Sequence, residues 1–248
     1  MNFELRDGER LDDLVRDGMR IIQRRDQFCF SVDSVLLAHF VSIKKRDKIV
    51  DLGTGTGVIP LLLSAFGAND ITAVEKNPVT ADIAMRNVRG NGKEDVISVV
   101  CADYLRVRDF FSPASFTSVV VNPPYRSVGT GRMSEKEDIA AATHETTASL
   151  SDVFCAAAYL CAYGGRLTMV HRADRLGDLI AEGRAHRFEI KRIRFVYSHA
   201  GENANRVLAE WRLGGKADVK VLPPLIVHQS DGSYTEEMLS IYGKEIHE

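Results

Sequence analysis

From Lys48 onward the chain alternates short β-branched runs with stretches in which apolar residues recur at helical spacing. Unbroken apolar runs bounded by turn residues suit strands buried on both faces, and an i, i+3, i+4 recurrence suits helices laid across them. The pattern predicts strands at Lys48–Leu52, Asp70–Glu75, Val96–Cys101, Ser118–Val121 and Gly165–His171. Helices fit Gly57–Phe66, Val79–Asn91, Ser149–Ala162 and Arg175–Gly183. Strands alternating with helices imply an α/β domain with a doubly wound, mostly parallel sheet.

Two later apolar runs, Phe188–Tyr197 and Asn205–Leu213, flank Ser-His-Ala-Gly-Glu-Asn-Ala, whose Gly and Asn suit a hairpin connection. The sheet is therefore expected to close with an antiparallel C-terminal hairpin. Ahead of the core, Asp33–Ile43 reads as an amphipathic helix capped near Ser31 or Asp33. Residues 1–47 read as an extension packed on the core and 48–248 as one domain. Arg126–Lys136, with two Gly and several polar residues, is the candidate mobile loop.

Composition narrows the class. Hydrophobic residues are 45% and charged residues 27% of 248, which fits a globular protein with a sizeable core. The opening MNFELRDGERLDD has neither a basic start nor an apolar run, so no secretory leader is read there. The apolar run Val58–Ala68 is too short to span a bilayer, and the expectation is a cytoplasmic protein without a membrane partner. Cys29, Cys101, Cys155 and Cys161 form no C-x-x-C pair and are expected to sit reduced in the core, with no metal site. The formal net charge is −2, yet eleven Lys/Arg face six acids between Gly164 and Lys216. That local surplus is a weak pointer to RNA contact.

The chemistry begins in IVDLGTGTGVIPLLL, where a predicted strand runs into Gly53-Thr-Gly55-Thr-Gly57 and then into a helix. Glycines there let the backbone turn sharply and approach a ligand closely. Two features favour S-adenosylmethionine over a dinucleotide: the spacing is G-x-G-x-G, and Asp51 stands before the loop, where a carboxylate suits a cationic ligand and repels a pyrophosphate. Glu75 ends the next strand as an acceptor pair for ribose hydroxyls, and Asp103 follows the third as an acceptor for the cofactor's adenine amino group. Acids at successive strand ends converge on one crevice, because open α/β sheets bind ligands outside the carboxyl ends of their strands.

The fourth strand ends in Asn122-Pro123-Pro124-Tyr125. An exocyclic amine on adenine is a poor nucleophile because its lone pair is delocalised into the ring. Two acceptors gripping its two protons draw it toward tetrahedral geometry as a methyl approaches. Asn122 offers its side-chain oxygen, and Pro123 its carbonyl on a backbone that the prolines stiffen. Tyr125 offers a stacking face for the base, worth roughly 1–3 kcal/mol in single-strand contacts. No strong general base is required, and the site's task is mainly orientation.

With this motif the stretch from Lys48 to about His171 resembles the amino-methylating branch of Rossmann-like class I methyltransferases. The flanks RLDDLVRDGMRIIQRRDQFCFSVDSVLLAHFV, KRIRFVYSHAGENANRVLAEW and PPLIVHQSDGSYTEEM, with the pair His144-Glu145, resemble the bacterial tRNA1(Val) (adenine(37)-N6)-methyltransferase family nearly end to end. The resemblance implies a tRNA substrate, methylated at N6 of the adenine beside the anticodon, and no obligate protein partner. It implies that Asp51, Gly53, Gly55, Glu75 and Asp103 hold S-adenosylmethionine, with Asn122 beside it. Asn122, Pro123 and Tyr125 would hold the base, and Phe30 and Asp33 would close over the methionine end. His144-Glu145 would hold the loop after the motif or cap a helix, and His171 reads as packed or at the surface.

Three other functions share parts of these features. A release-factor glutamine N5-methyltransferase uses the same motif on an amide but carries a longer helical domain before the core. A DNA adenine methyltransferase brings a separate target-recognition region. A catalytically silent cofactor-binding subunit would have no need of an intact Asn122 and Tyr125.

Overall fold

The computed structural model describes residues 3–14, 16–24, 30–124 and 148–243. After a two-stranded hairpin, β1 (Glu9–Asp13) and β2 (Arg20–Arg24), helix α1 (Val32–Phe40) leads into the core. There β3 (Ile49–Leu52), α2 (Val58–Ala65), β4 (Ile71–Glu75), α3 (Pro78–Gly90), β5 (Ile97–Cys101) and β6 (Phe116–Val121) follow one another. The second half comprises α4 (Leu150–Leu160), β7 (Cys161–Arg172), α5 (Leu176–Ala185), β8 (Phe188–Tyr197) and β9 (Arg206–Leu213). Two short strands, β10 (Lys220–Val221) and β11 (Leu225–Ile226), and helix α6 (Glu236–Ile241) complete the described chain.

The large sheet has the order β10-β8-β9-β7-β6-β3-β4-β5, with β11 also paired to β8. Strands β5, β4, β3, β6 and β7 are mutually parallel, and β9 runs antiparallel to both β7 and β8. The expected hairpin thus closes the sheet, with β9 inserted between β7 and β8. All four residues of β3 are buried, because helices cover both sheet faces at its centre. Ile49, Val120 and Val170 join the core shared with α1 and α2; Val50, Val119 and Val121 join the opposite core, shared with α4 and α5.

Local chemistry sets the helix starts. Asn77 caps α3 by accepting from the Val79 and Thr80 N–H groups, with Pro78 in the first turn. Ser149 and Asp152 form a reciprocal capping box at α4. The helix expected to run to Ile43 stops at Phe40, while the strand expected from Gly165 begins four residues sooner, at Cys161.

The N-terminal hairpin is a feature the hydrophobic pattern missed. Its turn places Asp17 and Gly18 at φ of 52° and 65°, the left-handed conformation that makes Asp-Gly a hairpin signal. The charged run ERLDD hides β1, and tertiary contacts hold it. Arg86 of α3, with a side chain 5% exposed, reaches Glu9 through bonds of 2.6 and 2.7 Å. The neighbouring Asn87 is fully buried; its oxygen accepts from Ile22 N at 2.6 Å, and its nitrogen donates to Ile22 O at 3.1 Å and Thr56 O at 2.9 Å. Among the described residues Cys161 is buried, but Cys101 and Cys155 are exposed, so the expectation that the cysteines lie in the core fails for those two. No helix among the described residues is long and apolar enough to cross a membrane.

Candidate active site

The loop after β3 is built from left-handed glycines. Gly53, Gly55 and Gly57 sit at φ of 72°, 59° and 88°, where side-chain-bearing residues are strained. A Cβ on Gly57 would touch Ala84 of α3, whereas one on Gly55 would point into open space. Gly57 therefore serves helix packing, and Gly55 leaves room beside the loop. The Gly53 and Thr54 N–H groups both donate to Val74 O at 2.9 Å. The Glu75 carboxylate accepts from Gly55 N at 3.0 Å and from Asn77 N at 2.9 Å. Glu75 is thus a brace joining the loop to the start of α3, a role the sequence reading did not assign, and its oxygens keep lone pairs for further donors.

Asp51 is fully buried. Neither of its oxygens, nor the Thr54 hydroxyl, meets a hydrogen-bond partner at good geometry among the described residues. Burial pushes the Asp51 carboxyl up to about 7, with the nearby Thr54 hydroxyl opposing and Glu75 adding to the rise. A buried, unpartnered carboxyl is costly unless a donor or a positive charge arrives. Asp51 lies opposite Ala73 and Val120 in the sheet register, and Glu75 and Asn122 follow those two by two positions. Side chains alternate along strands, so Asp51, Glu75 and Asn122 all leave the sheet on the α1 face at its carboxyl edge.

Asp103 lies beyond β5, where its side chain accepts from Leu105 N at 2.9 Å and caps the 3-10 turn Tyr104–Asp109. One oxygen of Asp103 is thus engaged by the turn. Beside it is Tyr104, which the sequence reading passed over: its ring lies 3.7 Å from where a Gly53 Cβ would stand. Burial pushes the Tyr104 hydroxyl up to about 12, with Asp103 adding to the rise, so the ring is a neutral wall of the crevice. An aromatic directly after the strand-end acid is the signal that could have found it.

Asn122 follows β6 directly. Its amide nitrogen donates to the Ser34 hydroxyl of α1 at 3.3 Å. Pro123 is buried and Pro124 exposed, so the backbone leaves the sheet between a packed ring and solvent. Tyr125, His144, Glu145 and the loop expected at Arg126–Lys136 lie outside the described residues. Phe30 packs against the core beneath α1, and its N–H donates to Gln23 of β2 at 2.8 Å. Asp33, in the first turn of α1, pairs with Arg206 of β9 at 3.0 Å. The start of α1 is therefore tied to the N-terminal hairpin, the β6 end and the β9 start together.

The basic surplus after Gly164 looks different in three dimensions. Arg166 pairs with Asp47, Arg194 with Glu237 and Arg206 with Asp33, all acids outside that window. Arg172, Arg175 and Arg184 pair with Asp174, Asp178 and Glu189 inside it. Most of the surplus is thereby matched within the fold. His171 is buried, which drives its imidazole down to about 4 and leaves it neutral at pH 7. No group of three or more His, Cys, Asp or Glu among the described residues could hold a metal ion.

A parallel sheet with an antiparallel strand inserted near its edge, and a glycine loop facing strand-end acids, define a class I methyltransferase fold. Solved structures share it. A predicted O-methyltransferase from Agrobacterium tumefaciens superposes with a TM-score of 0.67 over 86% of this chain and 96% of that one, at 24% identity. TYW2 of Pyrococcus horikoshii, crystallised with MeSAdo, superposes with a TM-score of 0.59 over 85% and 73%, at 16% identity. The chain belongs to the methyltransferase small domain family, whose model matches residues 29–176. Among curated relatives, a tRNA1(Val) (adenine(37)-N6)-methyltransferase of Porphyromonas gingivalis is 28% identical over 200 residues, covering 77% of this chain and 76% of that protein. One of the same name from Shewanella amazonensis is 29% identical over 218 residues, covering 88% and 84%.

Proposed function

We propose that this protein transfers a methyl group from S-adenosylmethionine to the exocyclic N6 of an adenine in tRNA, the adenine beside the anticodon of a valine tRNA. The observation that carries this reading is the placement of Asn122 and Pro123 at the strand end next to the glycine loop, on the face that also bears Asp51 and Glu75. The names of the curated relatives support the substrate.

The residues fit the cofactor. The open space beside Gly55 and the unpartnered Asp51 carboxyl suit a ligand that approaches the backbone closely and carries positive charge. Gly53 and Gly55 would line it, Glu75 would meet its ribose, and Asp103 with Tyr104 its adenine. Phe30 and Asp33 would bound the methionine end. When bound, S-adenosylmethionine supplies an electrophilic methyl on a sulfonium.

The Asn122 amide donates to Ser34 through its nitrogen, and in this reading its oxygen would face the substrate. That oxygen accepts one amino proton of the adenine and the Pro123 carbonyl accepts the other, which turns the nitrogen lone pair toward the methyl. The methyl that the bound cofactor would supply would pass to the nitrogen held in this way, and Asn122 and Pro123 would keep hold of its protons until one is released to solvent. Orientation and exclusion of water are the protein's contribution.

The test is incubation with labelled cofactor and total tRNA from a strain lacking the gene, followed by nucleoside mass spectrometry. Label in N6-methyladenosine is expected, and Asn122→Ala should cut turnover about 10²-fold or more while leaving cofactor affinity unchanged. Label confined to glutamine of a protein, or undiminished methylation by Asn122→Ala, would overturn the reading.

A further inference from the structure

At the carboxyl edge of the sheet, beyond the ends of β8 and β11, four aromatic rings form a ladder. Tyr242 lies in the core shared with α1, Tyr234 meets it tilted at 5.3 Å and 33°, His228 stacks on Tyr234 at 5.1 Å and 16°, and His199 meets His228 tilted at 5.5 Å and 31°. The core pairs Phe154–Trp211 and Phe111–Phe116 meet edge to face, at 86° and 73°, while His186 stacks on Phe154 at 21°. A ladder of rings inclined by 16° to 33° that starts in the core brings a ring out to solvent at its outer end. That end is His199, whose side chain is 41% exposed.

The rungs are fixed before anything binds. The His228 ring is held by Gly232 O at 3.1 Å, and the His228 N–H donates to Ser198 O at 2.9 Å. Ser198 in turn accepts from the Asn205 side chain at 2.7 Å, closing the base of the loop that carries His199. A polar surface loop held this firmly loses little entropy on binding. Glu202 stands 3.3 Å from the His199 ring. A carboxylate there repels a phosphate and can accept from an exocyclic amino group, so the local chemistry favours a base over the backbone.

We infer that this ladder is a stacking platform for an unpaired nucleobase of the RNA, close to the one methylated. Unstacked bases are commonly held on Phe, Tyr, Trp or His faces. The inference rests on the reading of the chain as an RNA methyltransferase. Position supports it: the edge runs from Asn122 after β6, past the end of β7 and the start of β9, to His199 after β8. Three inter-strand steps span about 14 Å, a distance that a few nucleotides bridge. The base on His199 is therefore a neighbour of the target rather than the target itself.

The experiment measures binding of an anticodon stem-loop RNA, with 2-aminopurine placed in turn at each loop position, to the parent protein and to His199→Ala, His199→Gln and His199→Trp. Quenching at a position other than the target is expected. Ala and Gln should weaken binding roughly tenfold and raise KM for tRNA, while Trp restores both, and affinity for S-adenosylhomocysteine stays constant. Binding by His199→Ala and His199→Gln as tight as by the parent overturns the platform while leaving the methylation reading intact. Ring-dependent binding without any methylated adenine leaves the platform standing and removes the reading. No measurable RNA binding by the parent protein overturns both.

Discussion

The two halves of the crevice are built in opposite ways. On the proposed cofactor side the glycine loop is held by main chain and by buried side chains: Val74 O takes two loop N–H groups, Glu75 takes a third, and Asn87 grips Thr56 O. On the proposed target side Asn122 leans on a hydroxyl of α1, and that helix is steadied by an ion pair to β9. A loop that must meet the same ligand every time is rigid from within. A substrate edge gains its geometry from elements that are distant in the chain.

Asn87→Ala tests the rigid side and should have the largest effect. It strips a buried partner from Ile22 N, Ile22 O and Thr56 O at once, at about 1–3 kcal/mol for each group left unsatisfied. A fall in Tm on the order of 10 °C and weaker cofactor binding are expected by calorimetry. A variant with the parent's Tm and affinity would show that the hairpin brace is idle.

The Asp51 prediction concerns pH. Its carboxyl at about 7 stands above the ordinary 3.8, so between those values the folded protein holds a proton that the unfolded chain has released. Without ligand, stability should therefore fall as pH rises from about 4 to about 7, by at most a few kcal/mol, and Asp51→Asn should flatten that slope. A ligand bringing positive charge favours the ionised form, so cofactor affinity should rise through about pH 7 in the parent and stay level in Asp51→Asn. Titration calorimetry showing pH-independent affinity in the parent would break the assignment of Asp51 to the cofactor's cationic end.

The smallest effect is expected on the target side. Ser34→Ala removes one neutral hydrogen bond, worth about 0.5–1.5 kcal/mol, and should lower kcat two- to tenfold without changing cofactor affinity. Ser34→Thr should restore it. Equal kcat in the Ala variant would mean that Asn122 is oriented by other contacts.

Much of this was legible in the chain. Strands such as IVDL and the run before Asn122 are mostly apolar because both faces are covered, and a run of that kind can be read without knowledge of partners. The glycine spacing and the Asn-Pro-Pro step are local backbone requirements, so they too can be read in place. The hairpin before α1 was not, although Asp17-Gly18 marks its turn, because ERLDD is charged and is held by Arg86 far along the chain.

By itself the sequence determined the alternation of strands and helices from Lys48 to Leu213, the glycine turn and the stiff strand end, since each depends on neighbours in the chain. Only the tertiary structure decided that Glu75 braces the loop, that Asp51 is sealed without a partner, that the arginines after Gly164 are largely matched by acids, and that four rings align at the sheet edge. Burial, ion pairing and stacking are properties of groups brought together by folding. Their energies depend on distance and dielectric, which a sequence does not carry.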